Sequence, residues 1–414
     1  MRRVAVTGIG VISPLGNSTW ALLESLAAAR SGIRRLDGPE YARLASPIAA
    51  PAAAEPAPVA DPAKSRMMDR TTHFALDASR QALAQAGLPL ATLDPSRVGV
   101  FIGTGMGGAQ STDDGYRTLY GEQSDRIKPF SVLLAMNSAA ASWIGLEYGF
   151  TGPNLTFTTA CSSSAVAIGE AAMRIASGAA DVMLAGGTEA PLCLGPMKAW
   201  EAIRTIATPD PRAPSASCKP FSKDRTGMVL GEGAAVLLLE EWESAQARDA
   251  VILAEITGYG LTTDVVHLTH PSVEGQARAM ALALASARID AASVDYINAH
   301  GTGTPANDAV ETAAIKQVFG ERAYRIPVSS TKSLHGHLLG AAGALEFAIA
   351  ILAMDAGIVP PTANLLQPDP ACDLDYVPNH ARADATIRTV MSNSFAFGGT
   401  SVALIGQSRR FHAH

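Results

Sequence analysis

The sequence is short of charge, aromatic residues and cysteine. Of its 414 residues, 17% are charged, 6% are aromatic and four are cysteine. So few cysteines cannot make a disulfide framework in a chain of this length, and a reducing, cytoplasmic setting is expected. Lys and Arg together number 32 against 38 Asp and Glu, a formal net charge of −6. With no basic stripe, no nucleic-acid partner is expected. No apolar run of 18 residues is free of breakers, which argues against a membrane span. The start, MRRVAVTGIGVIS, has the charged opening of a signal peptide. Its apolar part is short, β-branched and broken by glycine, so a buried first strand is the better reading.

What the chain does have is apolar mass. Hydrophobic residues make up 48%, which excludes a disordered chain. With few aromatics, the core must be built from Ala, Val, Leu and Ile. Length alone suggests two or three domains. Short β-branched runs alternate with longer Ala- and Leu-rich runs, the pattern of an α/β protein. Strands are expected at 4–7, 98–102, 155–158, 182–185, 234–239, 254–256, 296–298, 328–329, 389–393 and 401–405. Helices are expected at 72–86, 163–176, 275–287, 308–319 and 338–355. The stretch 44–64 is rich in Ala and Pro and is expected to be an excursion loop. A weak repeat is visible: VAVTGIG at 4–10 returns as LAEITGYG at 253–260, and VGVFIGTG near 105 as VDYINAHGTG near 303. The order suggests a duplicated α/β unit whose halves, 1–250 and 251–414, meet near residue 250.

Four clusters could carry chemistry. Cys161 lies between a β-prone run and a helical run, at a helix N-terminus, where free N–H groups and the dipole favour thiolate. The alternative is a small buried hydrophobe. Cys193, Cys218 and Cys372 lack this context. His300 follows a strand, at the carboxyl edge where α/β sites cluster, with Thr302 and Thr304 beside it. Asp308 is an N-cap candidate for the next helix. Lys332, His335 and His337 precede a long helix that is apolar on nearly all faces; Glu346 within it needs a partner, and Lys332 is the candidate. Gly398 and Gly399 in a C-terminal hairpin could aim backbone N–H groups at a ligand. The pairs His335/His337 and His267/His270 lack matching ligands at standard spacing, so no metal is expected. GTGMGG at 103–108 lacks nucleotide-cradle spacing. From these residues alone, both a carbon–carbon condensing enzyme and a cysteine hydrolase remain open.

TACSSS at 159–164, AHGTGT at 299–304, STKSLHGHLLGAAGALE at 330–346 and NSFAFGGT at 393–400 resemble the signature of elongating β-ketoacyl-acyl carrier protein synthases. VTGIGVISPLG at 6–16 and PPTANL at 360–365 match as well. The motifs run in family order over nearly the whole chain. The resemblance implies the thiolase fold, an α/β architecture of duplicated halves layered α-β-α-β-α, and a dimer. It implies Cys161 as acyl-accepting nucleophile, His300 and His337 for malonyl decarboxylation and the enolate, and Lys332 as electrostatic organiser with Glu346 as its partner. Backbone N–H groups of Cys161 and Phe397 would form the oxyanion hole, with Phe397 also gating access. Thr302, Thr304 and Thr269 would line the phosphopantetheine channel. No cofactor or metal is implied; substrates ride on acyl carrier protein, for which Lys64, Arg66 and Arg70 are docking candidates. The partner subunit would be a second copy or a homologous chain-length factor. Three departures stand out: His335 where Thr is frequent, Ala396 for Gly before the gating Phe, and Ser401 for Asn. They weaken a housekeeping fatty-acid reading and favour a polyketide or polyene pathway. The rivals are a degradative thiolase, for which Cys372 sits in an unsuitable turn, a silent scaffold subunit, and a hydrolase.

Overall fold

A computed structural model describes residues 1–409; residues 410–414, the end of the expected second half, lie outside the described residues. Ten strands form one hydrogen-bonded sheet: β1 (Val4–Ile12), β2 (Val98–Gly103), β3 (Asn154–Phe157), β4 (Val182–Glu189), β5 (Gly233–Glu241), β6 (Ala254–Thr263), β7 (Tyr296–Asn298), β8 (Val328–Ser329), β9 (Thr389–Phe395) and β10 (Thr400–Gln407). Their order is β8-β7-β9-β10-β6-β1-β5-β4-β2-β3. Each strand of the first five has a counterpart five places later, with the same neighbours and directions. Thus β4/β2 and β2/β3 are parallel, as are β9/β7 and β7/β8, while β1/β5 and β6/β10 are antiparallel. The five-stranded sets join through only two residue pairs, Ala5 with Glu255 and Val6 with Ala254.

Six helices cover the sheet: α1 (Arg70–Ala86), α2 (Ala139–Tyr148), α3 (Ser163–Ala176), α4 (Val273–Ala287), α5 (Asn307–Phe319) and α6 (Ala342–Ala356). Helix α1 packs on β1 and β5 with α2 beside it, and α4 packs on β6 and β10 with α5 beside it. Helices α3 and α6 pack on each other between the two strand sets. The result is five layers. The central layer explains the two-sided apolarity of α6, whose residues 342–354 are all buried. The segment Leu339–Ala356 is long and apolar enough to cross a membrane, but 89% of it is buried inside the protein.

The sequence repeat has a steric cause. A Cβ on Gly8 or Gly10 would stand 2.1 or 1.8 Å from the Ala82 or Ala78 carbonyl oxygen of α1. In the second half, Gly258 and Gly260 meet Ala283 and Ala279 of α4 at 2.5 and 2.0 Å. Helix backbone lies directly on strand backbone in both copies, which selects Gly and Ala and leaves little room for rings.

Three expectations need correction. The stretch 44–64 is not wholly irregular. Ile48–Ala49 is buried and pairs with Arg34–Arg35, and Pro62–Ser65 forms one helical turn capped by Asp61. Proline sits at the start of that turn, where its missing N–H is not needed. The expected helix 338–355 begins at Ala342, because Leu339 takes a left-handed φ of 46° in a preceding 3-10 turn. Asp308 is not an N-cap: α5 begins at Asn307, and the Asp308 carboxylate accepts the N–H groups of Phe221 and Gly303 at 2.8 and 3.2 Å.

Close approach at the seams predicts that Gly10→Ala and Gly260→Ala each cost about 1–3 kcal/mol or more. By contrast, Gly115→Ala, with open space at its Cβ, should be neutral or stabilising by up to about 1 kcal/mol. Urea midpoints of the three variants check this.

Candidate active site

The strand β3 ends at Phe157, and the chain turns sharply before α3. Ala160 takes a left-handed φ of 49°, and a 3-10 turn carries Cys161 onto the helix start. The turn is held by its own hydroxyls: Ser163 Oγ accepts from Thr159 N at 2.9 Å and donates to the Ala160 carbonyl at 2.6 Å. Cys161 is buried. Its Sγ lies 3.0 Å from His337 Nε2, and the Phe397 N–H acts to lower its pKa.

His337 and His300 come from the second half. His300 lies at the start of the loop after β7; its N–H and that of Gly301 both donate to Glu311 at 2.8 Å. His337 lies in the turn before α6, where its Nδ1 accepts the Leu339 N–H at 3.2 Å. That bond fixes the tautomer: the neutral ring carries its proton on Nε2, aimed at the sulfur. The two imidazoles stand edge to face, with centroids 5.5 Å apart. The donor atoms of Cys161, His300 and His337 all lie within 4.8 Å of one another, the only such His/Cys/Asp/Glu trio among the described residues. His335 Nε2 instead meets Thr331 Oγ1 at 2.9 Å, behind the site, and His267 Nδ1 meets His270 Nδ1 at 2.7 Å on the outer loop.

Lys332 is wholly buried. Its Nζ forms an ion pair with the equally buried Glu346 and donates to the His300 carbonyl at 2.6 Å. This cation and burial together set the neighbouring protonation states. Burial first, then Lys332, pushes both His300 and His337 well below the ordinary histidine range, so both are neutral. Burial raises the Glu346 carboxyl to about 7, with Lys332 pulling down. Burial also pushes the Cys161 thiol up to about 12, opposed by Lys332 and the Phe397 N–H. The expectation of a thiolate at the helix N-terminus is therefore corrected. The resting group is a thiol, because complete desolvation outweighs the dipole.

A cleft of about 620 Å³ opens on these groups. Thr302, Thr304 and Thr269 line it, with Phe397, Ser401, Met228 and Trp200. The Thr302 and Thr304 hydroxyls are 2.8 Å apart. Phe397 stacks on Trp200, with centroids 6.0 Å apart. Gly398 and Gly399 have φ of 86° and 84°, whereas Ala396 needs no left-handed backbone, so the Cβ at this departure fits the turn. The turn is tied to the outer loop, with Gly398 N donating to Leu268 O at 2.8 Å and Asp264 N to Gly399 O at 2.7 Å.

The basic cluster is less available than the sequence suggests. Arg70 is bound to Glu232 at 2.8 and 3.0 Å and to Glu55 at 2.6 Å, and it covers Phe74. It is a structural clamp rather than a free docking cation. Lys64 pairs with Glu147 at 2.9 Å, and Arg66 is exposed. None of the three lines the cleft. Sequence reasoning also missed Trp200, Glu189 and Glu311. A lone Trp or Glu in such segments carries no spacing signal.

Residues 1–245 match the family described as beta-ketoacyl synthase, N-terminal domain, and residues 253–366 match its C-terminal domain. The chain belongs to the β-ketoacyl synthase family. Nodulation protein E of Rhizobium meliloti is 45% identical over 97% of this chain and 98% of its own length. The 3-oxoacyl-(acyl-carrier-protein) synthase 2 of Coxiella burnetii is 44% identical, with 98% of both chains covered. Among solved structures, the ishigamide ketosynthase/chain length factor aligns with a TM-score of 0.89 and 34% identity, covering 98% of this chain and 99% of the other. The five layers are those of the thiolase fold, and the family is one of acyltransferase-type enzymes.

Two outcomes follow from the buried charge. Lys332→Met strands Glu346 and should destabilise the protein by about 3–5 kcal/mol, with much of that loss recovered in the Lys332→Met/Glu346→Leu double variant; calorimetry reads both. Alkylation of Cys161 by iodoacetamide should keep accelerating about tenfold per pH unit from pH 7 to 9.5, because thiolate grows with each step below its pKa. Levelling by about pH 9 would place the thiol in the ordinary range or below it and refute the burial account; Cys161→Ala supplies the baseline.

Proposed function

We propose that this chain elongates acyl thioesters by decarboxylative Claisen condensation with malonyl-acyl carrier protein. The observation that carries the reading is the buried Cys161 sulfur 3.0 Å from His337 Nε2, with the His300 ring in the same trio within 4.8 Å. In the first step the Cys161 sulfur attacks an acyl thioester. The thiol proton leaves with the departing pantetheine sulfur, so no net base is needed. The Cys161 and Phe397 N–H groups hold the tetrahedral oxyanion. In the second step a malonyl thioester loses carbon dioxide. His300 and His337, both neutral, donate hydrogen bonds to the enolate oxygen. The enolate carbon attacks the Cys161 acyl carbon, and the sulfur leaves and takes up one proton. The product is a β-ketoacyl-carrier protein two carbons longer. Lys332, paired with Glu346, donates to the His300 carbonyl and so turns the positive end of the pair toward the histidine loop.

Thr302, Thr304 and Thr269 are the pantetheine contacts in this reading, and Phe397 is the gate. Exposed Arg66, with Lys64, is left as the docking pair for an acidic carrier protein. Substrates bound as thioesters need no further cofactor or metal. The matching strand order supports reading 1–250 and 251–414 as two halves that share one site. The four free cysteines support a reducing, cytoplasmic setting for the reaction. The free edge of β3, with Leu155 of that strand exposed, supports a second subunit. That subunit is a copy of this chain or a catalytically silent homologue, in fatty-acid or polyketide elongation.

The test is to supply acyl-carrier protein and then malonyl-carrier protein, and to follow intact masses. The acyl mass should appear on the enzyme, vanish in Cys161→Ala, and transfer to a β-keto product. Cys161→Gln should lose condensation and keep decarboxylation. A wild-type enzyme that never acquires the acyl mass would mean a scaffold subunit; release of free acid would mean a hydrolase.

A further inference from the structure

Glu189 closes β4 in the first half and is completely buried. Its carboxylate accepts four hydrogen bonds. Three come from the loop after β2: Thr104 Oγ1 at 3.1 Å, Gly105 N at 2.6 Å and Met106 N at 3.0 Å. The fourth comes from the second half, Gly340 N at 2.8 Å. The halves touch through backbone here. A Cβ on Gly340 would lie 2.3 Å from Gly105 N and 2.7 Å from Glu189 Oε2.

Gly340 lies one turn beyond His337. At its near end the turn is strapped to the first half, with His337 N donating to Val229 O at 2.6 Å and Gly231 N to His337 O at 2.8 Å. At its far end Glu189 holds Gly340. Between the two anchors, Leu339 N donates to His337 Nδ1 at 3.2 Å. The backbone at Leu339 is left-handed, with φ of 46°, a conformation that persists only where the surroundings hold it.

We propose that Glu189 is a positioning residue for His337: by anchoring Gly340 it keeps the Leu339 N–H on Nδ1, and so keeps the imidazole proton on Nε2, facing Cys161. This inference rests on the condensing reaction proposed above. Glutamine cannot replace it. An amide has one acceptor oxygen, and its NH2 would face backbone donors. Because the demand falls on the His337 step, the two half-reactions should separate.

The experiment uses the full-length protein, wild type, Glu189→Gln and Glu189→Asp. Acylation of Cys161 from acyl-carrier protein is read by intact mass, and decarboxylation of malonyl-carrier protein by carbon dioxide release. In Glu189→Gln, acylation should stay within about threefold of wild type, while decarboxylation falls by about tenfold or more. Glu189→Asp, which keeps the charge on a shorter arm, should recover part of the loss. Nitrogen-15 spectra of histidine-labelled protein should show His337 as the Nε2–H tautomer in wild type and a mixture in Glu189→Gln. Equal losses in both half-reactions, or none in either, would overturn the proposal. So would an Nδ1–H tautomer in wild type, a readout that stands even if neither variant folds. A wild-type enzyme that does not condense at all would instead remove the proposed function, while the tautomer still reports on the anchor.

Discussion

One positive charge with no path to water governs this molecule. At the centre of the fold Glu346 reaches Lys332 from the central helix, and the His300 carbonyl accepts from its Nζ. Removing two ions from water costs several kcal/mol each, so such a pair contributes little net stability. Its value is electrostatic. Burial first, and this cation second, keep both histidines neutral, the form in which a ring donates at one nitrogen and accepts at the other. The same burial raises the Cys161 thiol pKa and holds the sulfur protonated. Protonation states, and not merely distances, are thus set by burial, with the charge of one lysine as the second influence.

The site exists only where the two halves meet. The sulfur and its helix belong to the first, the imidazoles and the cation to the second. Hydrogen-bonded contact between the strand sets is limited to two residue pairs, so registration falls to the central helices, to the Leu230–His337 bridge and to Glu189. These contacts sit beside the reacting groups. Packing of the halves and alignment of the catalytic groups are one event.

Much of this was legible in the sequence. Helix 163–176 and strands 296–298 and 328–329 were expected where they occur, because periodicity and β-branching are local signals. Cys161, His300, Lys332 and His337 were legible as motifs, and the repeat as a seam of Gly and Ala. The helix Ala139–Tyr148 was missed, since its apolar residues fall on all sides. The charge state of Cys161 was misread for a different reason. The helix start is visible in sequence, but desolvation comes from α6 and the Phe397 turn, which arrive from more than 170 residues away. Arg70 was misread likewise: a basic helix end looks free until buried Glu232 is placed beneath it. What sequence withholds is the environment supplied by the other half.

The central layer also bears on how the chain is made. Helix α3 leaves the ribosome long before α6, and until α6 arrives one of its faces has no cover. When the Leu339–Ala356 segment does emerge, its hydropathy of 1.7 matches that of a membrane anchor. The waiting groove in the first half is therefore both incomplete and necessary: it is the receptor that withdraws this segment from lipid and from aggregation.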